Sequence, residues 1–323
     1  MNKFKIAEPQ TLEHVTSLSS EDTTYKLMAG GTDLLGEIKD GIIEPEIVVD
    51  LLSIPGLSYI KKDRSGVRIG ALTSLVEVAE STLIQNEYPA LHEAALSVAT
   101  PQLRNIGTVG GNLCQRPRCW YYRDPQVQCR KKGGSRCFAS NGRNKYHAIL
   151  GGRICHIVHP SDLAPALMVL DAKVTISTPQ KDKTVPLVDF FTLPSVNVRR
   201  ENILAPNELV KEIILPPVKR GEKSTYRKLK ERSTWDFALV SAAVKGIVSE
   251  GIFNNIKIVL GGVAPIPWRL ERAESLIRGR KVRINSVKQA ARRALADAQP
   301  LKENGYKKEL VEAVLSRAVF SLV

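Results

Sequence analysis

The chain of 323 residues contains no apolar run approaching the ~20 residues that a membrane span needs. Its longest apolar stretches, LAPALMVL (163–170) and FALVSAAV (237–244), are the length of core elements. The start, MNKFKIAEPQTLEHV, lacks the hydrophobic stretch of a secretory signal, so no export signal of its own is expected. Internal repeats and low-complexity segments are missing too. Aromatics make up only 6%, and no groove-reading motif occurs, which argues against a nucleic-acid partner. Cysteines number five, an odd count that does not suit a disulfide framework.

What is present is an ordinary globular composition, 43% hydrophobic and 25% charged, on a chain long enough for two or three domains. The net charge of +14 is spread unevenly. Residues 1–114 carry −6, residues 115–155 carry +9, residues 156–218 carry −1 and residues 219–323 carry +12. The second block holds ten basic groups and one acid, set among four cysteines.

The N-terminal third alternates strand and helix signals. KFKIAEP predicts a strand, Thr11 to Ser19 a helix opened by a capping threonine, and TYKLM a strand leading into AGGTDLLGEI, a glycine turn before a helix. EIVVDL predicts another strand, and DRSG between LSYIKK and VRIGAL predicts a hairpin. SLVEVAESTLIQ and LHEAALSVA predict helices, the latter halted by Pro101. Residues 114–155 break the pattern, and an irregular segment of that length inside a compact protein is usually functional or disordered. Ser161 to Asp171 then reads as a helix and AKVTIST as a strand. LPPVKRGEK (215–223) is the best domain boundary. Beyond it come strands at STYRKLKE and FNNIKIVLGGVA around the apolar FALVSAAVKGIV, then three amphipathic helices.

Two glycine turns are candidates for holding a diphosphate. The first, Ala29-Gly30-Gly31-Thr32-Asp33-Leu34, lies between a predicted strand and helix, where backbone N–H groups can approach an anion. The second is Gly107-Thr108-Val109-Gly110-Gly111-Asn112. Neither fits G-x-G-x-x-G or G-x-x-x-x-G-K-[ST], so a Rossmann or Walker site is not indicated. The plainer reading of either is a tight turn.

Cys114, Cys119, Cys129, Cys137 and Cys155 have neither the paired spacing of structural zinc sites nor a ferredoxin spacing. The basic surroundings favour an anionic thiolate–metal centre without choosing zinc or iron.

KLMAGGTDLL, NIGTVGGNL and HPSDLAPAL, in that order, resemble the FAD-binding subunit of the molybdenum hydroxylases, the xanthine dehydrogenase family. YRKLKERSTWDFALVSAAV and VLGGVAPIPWR resemble the family's flavoprotein C-terminal domain, so the likeness covers essentially the whole chain. It implies an α+β fold: a two-part FAD-binding domain of the PCMH type over 1–217, with an insertion at about 114–155, followed by an α+β domain over 218–323. FAD contacts are then expected from Lys26, Leu27, Met28, Ala29, Gly30, Gly31, Thr32, Asp33 and Leu34, and from Thr108, Gly110, Gly111, Asn112 and Gln115. Asp162 is expected to accept hydrogen bonds from the flavin or its sugar, and Lys228 to lie near the isoalloxazine. Their plainer readings are a helix cap and a solvated lysine. The cysteine segment is similar to the minority of family members that carry a 4Fe–4S cluster, notably bacterial three-subunit aldehyde oxidoreductases. That likeness implies Cys119, Cys129, Cys137 and Cys155 as ligands and leaves Cys114 as a packed residue. His147, His156 and His159 are expected near the cluster or at the surface rather than as ligands.

The implied function is electron transfer within a molybdenum-containing aldehyde oxidoreductase. A large partner holds the molybdenum cofactor, a small partner holds 2Fe–2S clusters, and an external acceptor collects electrons from FAD on this chain. Membership of a 4-hydroxybenzoyl-CoA reductase-like or xanthine dehydrogenase-like complex is the alternative. A nucleic-acid-binding iron–sulfur protein or a stand-alone flavin oxidase would leave some of these motifs unexplained. The implied compartment is the cytoplasm, or the periplasm if a signal-bearing partner carries the chain across.

Overall fold

The computed structural model describes residues 2–18 and 24–323; Ser19, the last residue of the first predicted helix, lies outside them. Strands β1 (Lys5–Ala7), β2 (Tyr25–Met28) and β3 (Ile47–Asp50) form a parallel sheet in the order β1-β3-β2, with helices α1 (Leu12–Thr16) and α2 (Leu34–Lys39) in its connections. The Thr11 hydroxyl accepts the His14 N–H (3.2 Å), so the threonine opens α1 as its position predicts.

A second, antiparallel sheet has the order β4-β5-β8-β6-β7, from β4 (Ile60–Asp63), β5 (Gly66–Gly70), β6 (Lys173–Ser177), β7 (Lys183–Pro186) and β8 (Leu209–Leu215). The DRSG hairpin forms as expected. Its glycine is obligatory, because Gly66 has φ +125° and a Cβ there would stand 1.9 Å from the Leu215 carbonyl oxygen. Helices α3 (Leu75–Glu80), α4 (Thr82–Glu87), α5 (Pro89–Ser97), α6 (Pro101–Ile106), α7 (Val109–Cys114) and α9 (Leu163–Val169) accompany this sheet. The predicted helix SLVEVAESTLIQ is two helices. Ser81 is extended, ends α3 and caps α4 with its hydroxyl. Pro101 does not merely stop α5; it is the first residue of α6.

Between α7 and α9 the insertion holds one turn of helix, α8 (Trp120–Arg123), and two single 3₁₀ turns. The C-terminal part is an antiparallel sheet in the order β12-β11-β10-β9, from β9 (Glu222–Leu229), β10 (Val240–Ser249), β11 (Ile252–Gly261) and β12 (Trp268–Arg269). It packs with α10 (Glu271–Ile277), α11 (Ile284–Ala294) and α12 (Lys307–Phe320). FALVSAAVKGIV thus supplies an interior strand whose first seven residues, Val240 to Gly246, are all buried. Among the described residues, no helix is long and apolar enough to cross a membrane.

The insertion is fastened to the end of the chain. Its Ile149 and Leu150 join the C-terminal core and donate N–H bonds to Val263 O. The Asn304 side chain donates to the carbonyls of His147 (3.0 Å) and Ala148 (3.2 Å). Lys307, fully buried, donates to the carbonyls of Tyr146 (2.8 Å) and Gly262 (2.7 Å), with no acid paired to it among the described residues. Burial pulls its amine down from 10.5 to about 7. Between pH 7 and 10.5 the unfolded chain therefore binds the extra proton, and this lysine makes stability rise with pH there and lose that gain as pH falls to 7. Relative to Lys307→Met, wild-type unfolding free energy should climb by up to about 1.4 kcal/mol per pH unit in that window and flatten below it. Urea titrations of both proteins across pH 6–10 check this.

Candidate functional site

Two cavities adjoin the insertion. The larger is a cleft of about 990 Å³ lined by the whole run Lys26 to Leu34, together with Thr108, Gly111, Asn112, Gln115 and Asp162. The volume is at the upper end of small-molecule sites. Arg116, Arg118, Arg199 and Arg200 add positive charge, and Lys26 makes no ion pair among the described residues. Burial and the Arg116 guanidinium pull the Lys26 ammonium down, and Glu37 partly offsets this. A cleft with a cationic wall and a glycine turn opening on it suits an anionic cofactor such as a dinucleotide.

The first turn serves this cleft, although Gly30 is glycine for another reason. A Cβ there would stand 2.0 Å from the Ile106 carbonyl oxygen, so the residue is needed for contact between β2–α2 and α6. Gly31 has φ +69°, which favours glycine on backbone grounds. Asp33 sits in the cleft wall with its carboxylate engaged by protein: Arg118 (2.6 Å), Arg123 (2.7 Å) and the Arg116 N–H (2.6 Å).

The second turn departs from expectation. Thr108 caps α7, and the next four residues are helical. The N–H groups of Val109, Gly110, Gly111 and Asn112 go to Thr73 O, Ala71 O, Thr108 Oγ1 and Thr108 O. All four donors are thus taken up by protein acceptors in this structure. Gly110 does not line the cleft either: a Cβ on it would lie 3.0 Å from that of Ala71, so its smallness lets α7 settle on the end of β5. Gly111 does face the cleft, and a Cβ there would meet only Thr108 Oγ1 at 3.0 Å and Ala29 Cβ at 3.9 Å. Gly111→Val should narrow the cleft between Ala29 and α7 and weaken cofactor binding by tenfold or more, with far less damage than Gly30→Val. Fluorescence titration with FAD measures it.

Asn112 accepts the Ser161 hydroxyl (2.5 Å), and Gln115 bonds Asn112 O (2.9 Å), so both are built into the wall. Ser161, not Asp162, caps α9, accepting the Ala164 N–H (3.0 Å). The Asp162 carboxylate instead takes the Tyr226 hydroxyl (2.6 Å) and the Lys228 ammonium (2.6 Å). Lys228, only 3% exposed, also donates to Ser97 O and does not line the cleft. It reaches the cleft through Asp162. Burial and the Asp162 charge push the Tyr226 phenol well above its ordinary value.

The smaller cavity, about 10 Å³, is lined by Cys119, Cys129, Cys137 and Cys155 with Tyr121, Tyr122, Phe138 and Ile157. Its donor set suits a thiolate-bound cluster: four thiols and no carboxylate. The cavity itself has room for about one water, so holding a cube would require the four cysteines to move apart around it. Among the described residues, no group of three or more His, Cys, Asp or Glu is arranged to hold a metal ion, so the expected 4Fe–4S site is not shown here, nor is the zinc alternative. A hydrogen bond from the Cys155 thiol draws Cys137 down and holds Cys155 up. Cys114 stands apart on the cleft side, its thiol pushed up to about 12 by burial. His147 is buried with Nε2 3.2 Å from the Cys119 sulfur, His159 is buried beside Phe191, and His156 is half-buried. Burial lowers all three.

The ten basic groups do not all serve the cysteines. Only Arg130 and Lys131 line their cavity. Arg116, Arg118 and Arg123 turn to Asp33, Glu37 and Glu201 at the cleft. Glu201 and Tyr122, which sequence reasoning missed, join the two sites. Glu201, buried, pairs with both Lys131 and Arg116, and Tyr122 lines both cavities.

Comparison with known proteins identifies the family. Residues 2–218 match the family described as the FAD binding domain in molybdopterin dehydrogenase, and residues 224–322 match the CO dehydrogenase flavoprotein C-terminal domain. The chain is 38% identical over 296 residues to the aldehyde oxidoreductase FAD-binding subunit PaoB of Escherichia coli K12, covering 90% of this chain and 89% of that protein. It is 28% identical over 323 residues to the carbon monoxide dehydrogenase medium chain of Hydrogenophaga pseudoflava, covering 98% and 96%. A solved structure of that organism's carbon monoxide dehydrogenase superposes with a TM-score of 0.77 at 27% identity, covering 99% of this chain and 98% of the other. With both parts of the chain matched in order, it belongs to the FAD-binding, medium-subunit family of the molybdenum hydroxylase oxidoreductases.

Proposed function

We propose that the chain is the FAD-carrying electron-transfer subunit of a molybdenum-containing aldehyde oxidoreductase and that Cys119, Cys129, Cys137 and Cys155 hold one 4Fe–4S cluster. A flavin domain over 1–217 and a C-terminal domain over 218–323 then work beside a molybdenum-cofactor large subunit and a 2Fe–2S small subunit. An external acceptor takes the electrons away. Cytoplasm, or periplasm after export with a signal-bearing partner, is the compartment consistent with this reading.

The observation that carries the reading is that cofactor-sized cleft and four-cysteine cavity share a wall, Tyr122. The 38% identity to an aldehyde oxidoreductase subunit, against 25% to a putative xanthine dehydrogenase FAD-binding subunit, favours the aldehyde branch.

Bound FAD supplies acceptance of electrons singly and their release in pairs. The chain's own residues do the rest. The strand–turn–helix at 26–34 and the cationic groups Lys26, Arg199 and Arg200 receive the anionic end of the cofactor. Asp162 presents a carboxylate whose direction is fixed by Lys228 and Tyr226. Tyr122 and Phe138 line the cysteine cavity with aromatic surface. Flavin, iron and sulfide analysis of the anaerobically purified chain tests the reading. One FAD and one cluster per chain are expected. Zinc or no metal would remove the cluster assignment, and a colourless protein would remove the flavin.

A further inference from the structure

Four cations of the insertion leave it to meet three carboxylates of the cleft wall. Asp33, in the first glycine turn, takes Arg118, Arg123 and the Arg116 N–H. Glu37, on α2 and nearly fully buried, accepts the Tyr122 hydroxyl (2.5 Å) and lies 3.9 Å from the Arg116 guanidinium. Glu201, 2% exposed, bridges Arg116 to Lys131, which is 1% exposed and lines the cysteine cavity. A continuous run of contacts therefore leads from the cysteine cavity through the ion pairs of Lys131, Glu201 and Arg116, and then through the Arg116 backbone N–H, to Asp33 in the glycine turn.

The far end of the insertion is held by the C-terminal core and by Asn304 and Lys307. Its nearer part, one helical turn and two 3₁₀ turns, buries few apolar side chains, so the order of that part depends more on what is bonded to it. If it loosened, Glu37 and Glu201 would be left as buried carboxylates without cations, an arrangement that folded chains avoid by rearranging. The rearrangement falls on the cleft, because all three carboxylates belong to its lining.

We propose that occupancy of the cysteine cavity and affinity of the cleft for FAD are thermodynamically linked through this ion-pair chain, with Asp33 and Glu201 as its positioning residues. The inference rests on the reading that the cavity holds a cluster and the cleft holds FAD. Asp33 is then not a cofactor contact. Its carboxylate is committed to the insertion and holds the turn in the shape the cofactor meets. Linkage runs both ways, so bound FAD raises the affinity of the cavity for its metal by the same factor.

The test measures FAD affinity of the full-length, flavin-freed chain with the cluster present and after its removal. Wild type should bind FAD at least about fivefold more weakly without the cluster, the low end of typical couplings. In Asp33→Asn and in Glu201→Gln that ratio should fall towards one. A residue with only a structural role would weaken both affinities and leave the ratio unchanged, which would overturn the assignment. If Glu201→Gln does not fold, Asp33→Asn and Tyr122→Phe carry the test. A reciprocal arm measures iron retained at equilibrium against a graded chelator: retention should be greater with FAD bound, and identical retention curves would overturn the linkage. Equal FAD affinities in iron-containing and iron-depleted wild type would sink the linkage while leaving the cofactor reading intact. A wild-type chain purified without iron would fail that reading first, and the linkage with it.

Discussion

Serine in place of Cys119, Cys129, Cys137 or Cys155 is expected to strip the chain of iron and sulfide, while Cys114→Ser keeps the wild-type content. The four thiols line one cavity, and the fifth lies on the other side of the wall, in the cleft. Thiolate–metal bonds are worth about 10–16 kcal/mol of folding free energy in zinc-finger peptides, where the metal organises an otherwise unordered segment. Losing a comparable contribution should unfasten the insertion, which limited proteolysis between residues 115 and 155 would report as new cleavage sites. Iron and sulfide assays on the five single variants settle the ligand set. Depletion confined to Cys114→Ser, or iron retained in all five, would show the assignment to be wrong.

The second large effect concerns Asp162 and Lys228. Both are almost fully buried, and each is the other's counter-charge. Asp162→Ala leaves an ammonium in the interior with only the Ser97 carbonyl and no acid beside it, at a cost of about 3–5 kcal/mol. That is a large fraction of the ~5–15 kcal/mol by which a typical domain is stable. Lys228→Met alone should cost a similar amount, because the carboxylate keeps only the Tyr226 hydroxyl. The pair Asp162→Asn with Lys228→Met removes both charges together and should recover much of the stability. Flavin affinity should not recover with it if Asp162 faces the cofactor. Urea melts and FAD titrations on the three variants separate the roles, and a double variant that regains both would reduce the pair to a packing device.

Much of the scaffold was legible because its signals are local. Thr11 opens α1, Gly66 closes a hairpin that only glycine permits, and the first glycine turn joins β2 to α2. Strand β8, LVKEIIL, lies outside every predicted element although it is interior to its sheet; its neighbours β5 and β6 are about a hundred residues apart in sequence. The second glycine turn misled for a similar reason. Glycine pairs signal a turn locally, whereas Thr108 as cap and Ala71 as packing partner make α7 a helix. At the site, positions were easier to read than roles. Asp33 and Asp162, expected at the cofactor, both line the cleft, whereas Lys228 does not, and nothing in the sequence pairs Lys228 with a carboxylate 66 residues away. Glu201 gave no signal beyond the opposed charges of the insertion and the acidic segment before it. The cysteine spacing of 10, 8 and 18 did not itself imply that the four would meet.

The fastening of the insertion by Asn304 and Lys307 also sets a timetable. Chains emerge from the ribosome N-terminus first, at about 5–20 residues per second. Cys155 is made about 150 residues before Lys307, so roughly 8–30 s of synthesis separate the last cysteine of the cavity from the clamp that seats its far end. The lining of the cysteine cavity, residues 119 to 157, is complete throughout that interval while residues 146–148 still lack their C-terminal partners. If the four thiols hold a cluster, its ligands therefore exist well before the segment that carries them is fastened.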